Sequence, residues 1–263
     1  SAHVAPGPPT RGSLVTLRSG GRPHVHLFHP GGGNSTHYQP LVAALPENWT
    51  VTASDDCGQG DTIEDLAERY LRELLSATGP PDVLGGWSMG GVVAYHAIRL
   101  LRGTAARLPA LLLVDSAPPI GYGPEPESER VVEQFAESVW MSLSLRRFRP
   151  AELDAADDDA MCALAAGLWR AGDTVRPDWL LQRLDEYRRH LRATLRYVCE
   201  DCLPVPAVVI AAVLDEPLLE DWRRRLPPGT PTLRLAGGHF DVLRHPLVEE
   251  VARQLTSLPD RLT

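Results

Sequence analysis

The chain has 263 residues, an ordinary globular composition (43% hydrophobic, 23% charged) and a formal net charge of −8. That composition can bury a full core and excludes a disordered chain or a small disulfide scaffold, while the acidic balance argues against nucleic-acid binding through overall charge. All 26 basic residues are arginine, so a Schiff-base lysine, a pyridoxal-phosphate lysine and a Walker A loop are excluded as well.

The chain starts at Ser1 without Met, and Ala5-Pro6-Gly7-Pro8-Pro9-Thr10 reads as a linker. The expectation is a linker over 1–11 and one domain over 12–263, as in a domain cut from a longer polypeptide. Leu14–Leu17 and Val25–Phe28 read as strands, and Val51–Ala53 as a shorter one. Ile63, Leu66, Ala67, Tyr70, Leu71, Leu74 and Leu75 follow helical spacing, with Thr62 as N-cap. Val83–Gly85 predicts a short strand, followed by a helix from about Gly91 to Leu101 and an all-apolar strand at Leu111–Val114. From about Pro118 to Asp201 no strand is predicted. Three helical patterns stand there (Arg130–Leu143, Ala151–Trp169 and Asp178–Cys199), which is far longer than an ordinary crossover. This segment, 118–201, is expected to be an insertion over one end of the sheet. Strands at Ala207–Leu214 and Thr232–Leu235 and a helix at Leu247–Leu258 close the chain. The alternation predicts an α/β fold with a mostly parallel sheet covered on both faces. No apolar run reaches membrane-spanning length and no signal peptide is visible, so a cytoplasmic location is expected. Cys199 and Cys202 have CxxC spacing without a second pair, and read as incidental.

Gly86-Trp87-Ser88-Met89-Gly90 has the pattern G-x-S-x-G. The motif is weak alone, but a predicted strand precedes it and an apolar helix follows. That is the setting of a nucleophile elbow, in which flanking glycines give room to a sharply turned serine. The helix N-terminus then aims amides and a positive dipole end at the site. A serine hydroxyl needs a base. His239, in Gly237-Gly238-His239-Phe240 after the last predicted strand, is the candidate, with His245 as its nearest rival. His24 and His26 alternate along a strand with no third ligand in view, and are expected to be exposed strand residues rather than a metal pair. No metal site is predicted. Two carboxylates end strands, Asp115 and Asp215, and the residues alone leave that choice open. An oxyanion hole takes two backbone amides. Met89 supplies one, and Gly31 or Gly32, in the loop His29-Pro30-Gly31-Gly32-Gly33-Asn34, supplies the other.

Phe28-His29-Pro30-Gly31-Gly32-Gly33, Gly86-Trp87-Ser88-Met89-Gly90-Gly91, Asp115-Ser116-Ala117-Pro118-Pro119 and Gly238-His239-Phe240 together resemble the thioesterase domains that end nonribosomal peptide synthetases, members of the α/β-hydrolase superfamily. The resemblance spans about residues 12–258. It implies the triad Ser88, Asp115 and His239, with the acid at the end of the strand after the elbow, and it implies that 118–201 is a helical lid. Trp87 before the nucleophile fits the peptide-synthetase branch better than the polyketide branch, whereas Gly31 stands where the family often has Ala. The implied reaction releases a peptidyl chain from the phosphopantetheine arm of an upstream carrier domain, by hydrolysis or macrocyclisation, with no cofactor bound by the domain itself. Lid residues Trp140, Met141, Phe148, Trp169, Trp179 and Tyr187 are the candidates to line the substrate pocket. Arg188, Arg192 and Arg196 share one helix face and could meet an acidic carrier. A free-standing editing thioesterase, a small-ester esterase and a non-catalytic binding module are the competing readings.

Overall fold

The computed structural model describes residues 12–144, 161–166 and 175–262. The predicted linker 1–11 and most of the helical pattern Ala151–Trp169 lie outside them. Seven strands form one sheet: β1 (Leu14–Arg18), β2 (Gly21–Phe28), β3 (Trp49–Ser54), β4 (Val83–Trp87), β5 (Ala110–Val114), β6 (Ala207–Ala211) and β7 (Thr232–Arg234). Their spatial order is β1-β3-β2-β4-β5-β6-β7. Only β1 runs antiparallel to its neighbour, β3, and every other pair is parallel. The central strands β4, β5 and β6 are buried along their whole length, as continuous apolar runs between two helical layers must be.

Helices α1 (Gln39–Ala44), α2 (Ile63–Thr78), α3 (Met89–Leu101), α6 (Glu216–Arg225) and α7 (Leu247–Thr256) flank the sheet, while α4 (Ser128–Ser144) and α5 (Pro177–Arg196) lie between β5 and β6. One core joins α2 and α3 to one face of the sheet through Tyr70, Val93, Leu111 and Leu113. A second joins the other face to α1 and α7 through Leu41, Leu112, Val251 and Leu255. A third, smaller core unites α4, the helical residues 161–166 and α5 through Phe135, Met161, Leu164 and Leu184. The inserted helices therefore carry their own apolar centre. Thr62 caps α2 as its sequence predicts, accepting from the Asp65 amide at 3.1 Å, a bond of about 1 kcal/mol.

Two short helices escape the sequence periodicity. α1 is only six residues long, and α6 opens on Asp215 as N-cap with Pro217 in its first turn. A correction also falls on β2. His24 and His26 are buried, His26 fully so, and not exposed. Both bond the Thr52 hydroxyl at 2.8 Å, and His26 also meets the Ser54 hydroxyl at 3.0 Å. Partners on the adjacent strand remove the cost of burying polar rings in a doubly covered sheet. Because β2 to β7 share one direction, their following loops gather at a single edge, where open α/β sheets present ligand sites.

Candidate active site

Ser88 sits between the last residue of β4 and the first of α3, with φ 57° and ψ −125°. A side-chain-bearing residue in that region costs of order 1–3 kcal/mol. The neighbouring glycines make the turn possible, because a Cβ on Gly86 would overlap the Gly90 backbone and one on Gly90 would overlap the Phe28 carbonyl oxygen. The Ser88 amide donates to the Val114 carbonyl at 2.9 Å. Asp115, the residue that follows β5, also has a positive φ of 44°. The elbow and the acid thus stand side by side at the ends of adjacent strands.

The Asp115 side chain is only 2% exposed as a residue. Its Oδ1 accepts from the Ala212 and Val213 amides at 2.7 and 3.1 Å, and its Oδ2 accepts from His239 Nδ1 at 2.7 Å. Burial alone would push this carboxyl up. The hydrogen bond and charge of His239, joined by the two amides, hold it below the usual carboxylate range. Asp215 has a different task, accepting from the Leu218 amide at 3.1 Å as the cap of α6. His245 is exposed and faces Glu249 at 3.2 Å. Of the residues weighed in each role, the fold brings Asp115 and His239 together.

An N–H donated from Nδ1 leaves the other ring nitrogen of a neutral imidazole as an acceptor. Trp87 braces the His239 loop from beside Ser88. Its indole N–H donates to the His239 carbonyl at 3.1 Å, and the two rings lie 5.0 Å apart. Phe240 meets Trp87 edge-on at 5.5 Å. Sequence reasoning took Trp87 only as a branch marker, and missed Tyr38 altogether. The Tyr38 hydroxyl donates to the Phe28 carbonyl at 2.6 Å and accepts from the Trp87 amide at 2.8 Å. It stitches the end of β2 to the elbow.

The glycine loop 31–33 lies at the same edge. Gly33 (φ 77°) closes a turn through its amide to the Pro30 carbonyl at 2.9 Å. Met89 opens α3, so its amide is one of the helix's first donors. Tyr187 of α5 packs on this loop, its ring 3.2 Å from where a Gly31 Cβ would sit. Trp179 is 44% exposed and lines a cavity of about 330 Å³ with Gly32, Phe135, Val139 and Arg183. Trp140 and Met141 belong to α4, but their side chains, like Phe148 and Trp169, lie outside the described residues. On the predicted basic face, Arg192 pairs with Glu125 at 2.8 Å and Arg188 lies 3.9 Å from Asp185. Acidic partners on the chain itself therefore offset much of that charge. Among the described residues no helix is long and apolar enough to cross a membrane.

Comparison with known proteins places the chain in a family. A family model described as "Thioesterase domain" matches residues 23–258. Orsellinic acid synthase of Beauveria bassiana is 36% identical over 155 residues, which is 55% of this chain and 6% of that protein. The chain thus corresponds to a small part of that synthase. A pimeloyl-[acyl-carrier protein] methyl ester esterase of Stenotrophomonas maltophilia is 27% identical over 90% of this chain and 93% of its own length. Among solved structures, a holo four-domain nonribosomal peptide synthetase aligns with a TM-score of 0.79 at 22% identity, covering 94% of this chain and 20% of that one. The Vlm2 thioesterase domain aligns at 0.69 and 22%, covering 92% of this chain and 95% of that one.

Proposed function

This chain belongs to the thioesterase-domain family, and from that premise we propose that it releases an acyl chain from the phosphopantetheine arm of a carrier protein through an ester to Ser88. The cargo is a peptidyl or mixed peptide and polyketide chain, and the partner an upstream carrier domain. Residues 12–263 act as one thioesterase domain, with 118–201 as its lid. The observation that carries this reading is the hydrogen bond from His239 to Asp115, made at the strand edge where Ser88 stands.

In this reading His239, held by Asp115 in the tautomer with Nδ1 protonated, takes the Ser88 proton through Nε2 as the hydroxyl attacks the thioester carbonyl. The Met89 amide and that of Gly31 or Gly32 hold the tetrahedral oxyanion. A thiol with a pKa of about 8.5 leaves readily, so expulsion of the arm makes little demand on a general acid. Water then frees a linear acid, or a nucleophile of the same chain closes a ring. Ring closure requires the pocket beneath the lid to fold the chain back and exclude water.

The near full-length likeness to a carrier-protein methyl ester esterase supports a second reading, in which the scissile bond is an oxygen ester on a carrier-bound acyl group. Acyl N-acetylcysteamine thioesters and carrier-bound methyl esters, offered side by side with mass-spectrometric product analysis, separate the two. Thioester turnover is expected to dominate. A fluorophosphonate is expected to modify Ser88, with Ser88→Ala unmodified. A folded wild-type sample that resists the reagent would instead favour a binding module.

A further inference from the structure

A peptide unit is planar and trans, so its C=O and N–H point in opposite directions, and whatever holds the oxygen aims the amide. The Gly31 amide belongs to the unit that contains the Pro30 carbonyl, and the Gly32 amide to the unit that contains the Gly31 carbonyl. His29 Nδ1 donates to the Pro30 oxygen at 2.8 Å, and His190 Nδ1 donates to the Gly31 oxygen at 2.9 Å. The Pro30 oxygen also takes the Gly33 amide at 2.9 Å, so the Gly31 donor is set by His29 together with the turn of the loop, and the Gly32 donor by His190.

Both rings are fully buried and their centroids lie 4.9 Å apart. His29 follows β2, and its Nε2 accepts from the Tyr70 hydroxyl at 2.8 Å. His190 comes from α5, and its Nε2 faces Asp56 Oδ2 at 3.4 Å. Arg189 grips that same carboxylate oxygen at 2.5 Å, and the Asp56 amide donates to the Gly33 carbonyl at 2.8 Å. Arg183, also on α5, donates to the Gly32 carbonyl. All three glycine carbonyls are thus tied down. His29, Asp56 and His190 lie close enough to ligate a cation. Two of the three are already engaged, however, because both nitrogens of His29 are hydrogen-bonded and a guanidinium holds Asp56, which leaves His190 Nε2 as the one ring nitrogen of the cluster without a hydrogen bond. Burial, with His190 adding to it, pushes His29 down to about 3, which keeps it neutral near pH 7. A hydrogen bond to a carbonyl also polarises the amide on the other side of the unit.

We propose that His29 and His190 are positioning residues that aim the Gly31 and Gly32 amides at the oxyanion, His190 doing so across the interface between α5 and the sheet. The proposal rests on the reading of Ser88 as nucleophile. It predicts that His190 acts on the tetrahedral state and barely on substrate binding. His190→Leu removes the donor, whereas His190→Asn places an amide N–H near the Nδ1 position. With an acyl N-acetylcysteamine thioester, His190→Leu is expected to lower kcat by roughly 10- to 100-fold, short of the ~10²–10³ that follows loss of a whole oxyanion donor, with KM within about twofold. Affinity for a boronic acid, a tetrahedral-anion mimic, should fall with kcat, and His190→Asn should recover most of both.

Wild-type kcat in folded His190→Leu would overturn the proposal, as would equal losses in both variants with unchanged boronic acid affinity. If His190→Leu fails to fold, His190→Gln takes its place, since its longer side chain sets the amide off the Nδ1 position. Asn and Gln variants of equal kcat then refute the idea, and an Asn variant well above Gln supports it. Fluorophosphonate labelling of the wild type keeps the two readings apart. An unlabelled wild type sinks the nucleophile, while a labelled wild type with an indifferent His190 sinks only the positioning role.

Discussion

Exchanging Asp115 for Asn alters one atom, and the surrounding hydrogen bonds dictate where that atom goes. The Ala212 and Val213 amides both donate to Oδ1, so the amide oxygen of the new side chain must take that position. Its NH2 then occupies the place of Oδ2, 2.7 Å from His239 Nδ1. Two donors cannot share that contact. His239 must turn its lone pair towards the substituted amide and carry its proton on Nε2, where it can no longer accept from a serine. In a Ser–His–Asp triad on another fold the same exchange costs ~10⁴ in kcat, about 5.4 kcal/mol of barrier. A loss of that order is expected here, with a melting temperature within a few degrees of wild type because the backbone amides keep their acceptor. Asp215→Asn is the matched control, since Asn caps a helix about as well as Asp and activity should be unchanged. Steady-state turnover of an acyl thioester, with unfolding followed in parallel, decides the matter. An Asp115→Asn enzyme within about threefold of wild type, or an equal loss in Asp215→Asn, would refute the reasoning.

Trp87→Phe keeps an aromatic ring at this position but deletes one fused ring of the indole together with its N–H to the His239 carbonyl. A neutral hydrogen bond is worth about 1 kcal/mol net, so kcat should fall roughly fivefold, and an unchanged rate would remove Trp87 from the bracing of the histidine loop. Gly90→Ala drives a methyl into the Phe28 carbonyl, and overpacking of about 1–3 kcal/mol should lower the melting temperature by roughly 2–12 °C in a chain of this size. Burial pushes His26 and His29 down to about 3 and His37 down to about 4. These folded values lie below the unfolded 6.5, so the unfolded chain binds protons first. Their contribution is whole above pH 6.5 and declines as pH falls towards 4, by up to about 1.4 kcal/mol per pH unit for each ring. Urea midpoints should drop steeply between pH 7 and 5, less so in His26→Gln, and a flat profile would contradict the assignment.

What the sequence made legible was local. G-x-S-x-G between a strand and an apolar helix predicts the elbow, because the glycines and the serine are neighbours in the chain as well as in space. The apolar runs at 111–114 and 207–214 read as strands because both of their faces are covered, although the second strand ends at Ala211. Asp115 and Asp215 looked alike, since each ends a strand. They part only in three dimensions, where the first meets His239 and the second starts a helix. His24 and His26 were misplaced because alternation assumes one wet face, which β2 lacks. The cluster of His29, Asp56 and His190 left no mark on the sequence. Its bonds join residues as far apart as Gly31 and His190, and no periodicity reports such a meeting.

Helix α5 reaches the glycine loop through Arg183, Tyr187 and His190, and reaches the loop after β3 through Arg189. The segment between β5 and β6 is therefore not an interchangeable cap. A chimaera that grafts a relative's insertion onto this sheet to change its cargo must carry over these four contacts, or redesign residues 29–33 and 56 to suit the donor. Swaps drawn only at the sequence borders of the insertion would yield proteins that fold around a new cavity yet turn over slowly.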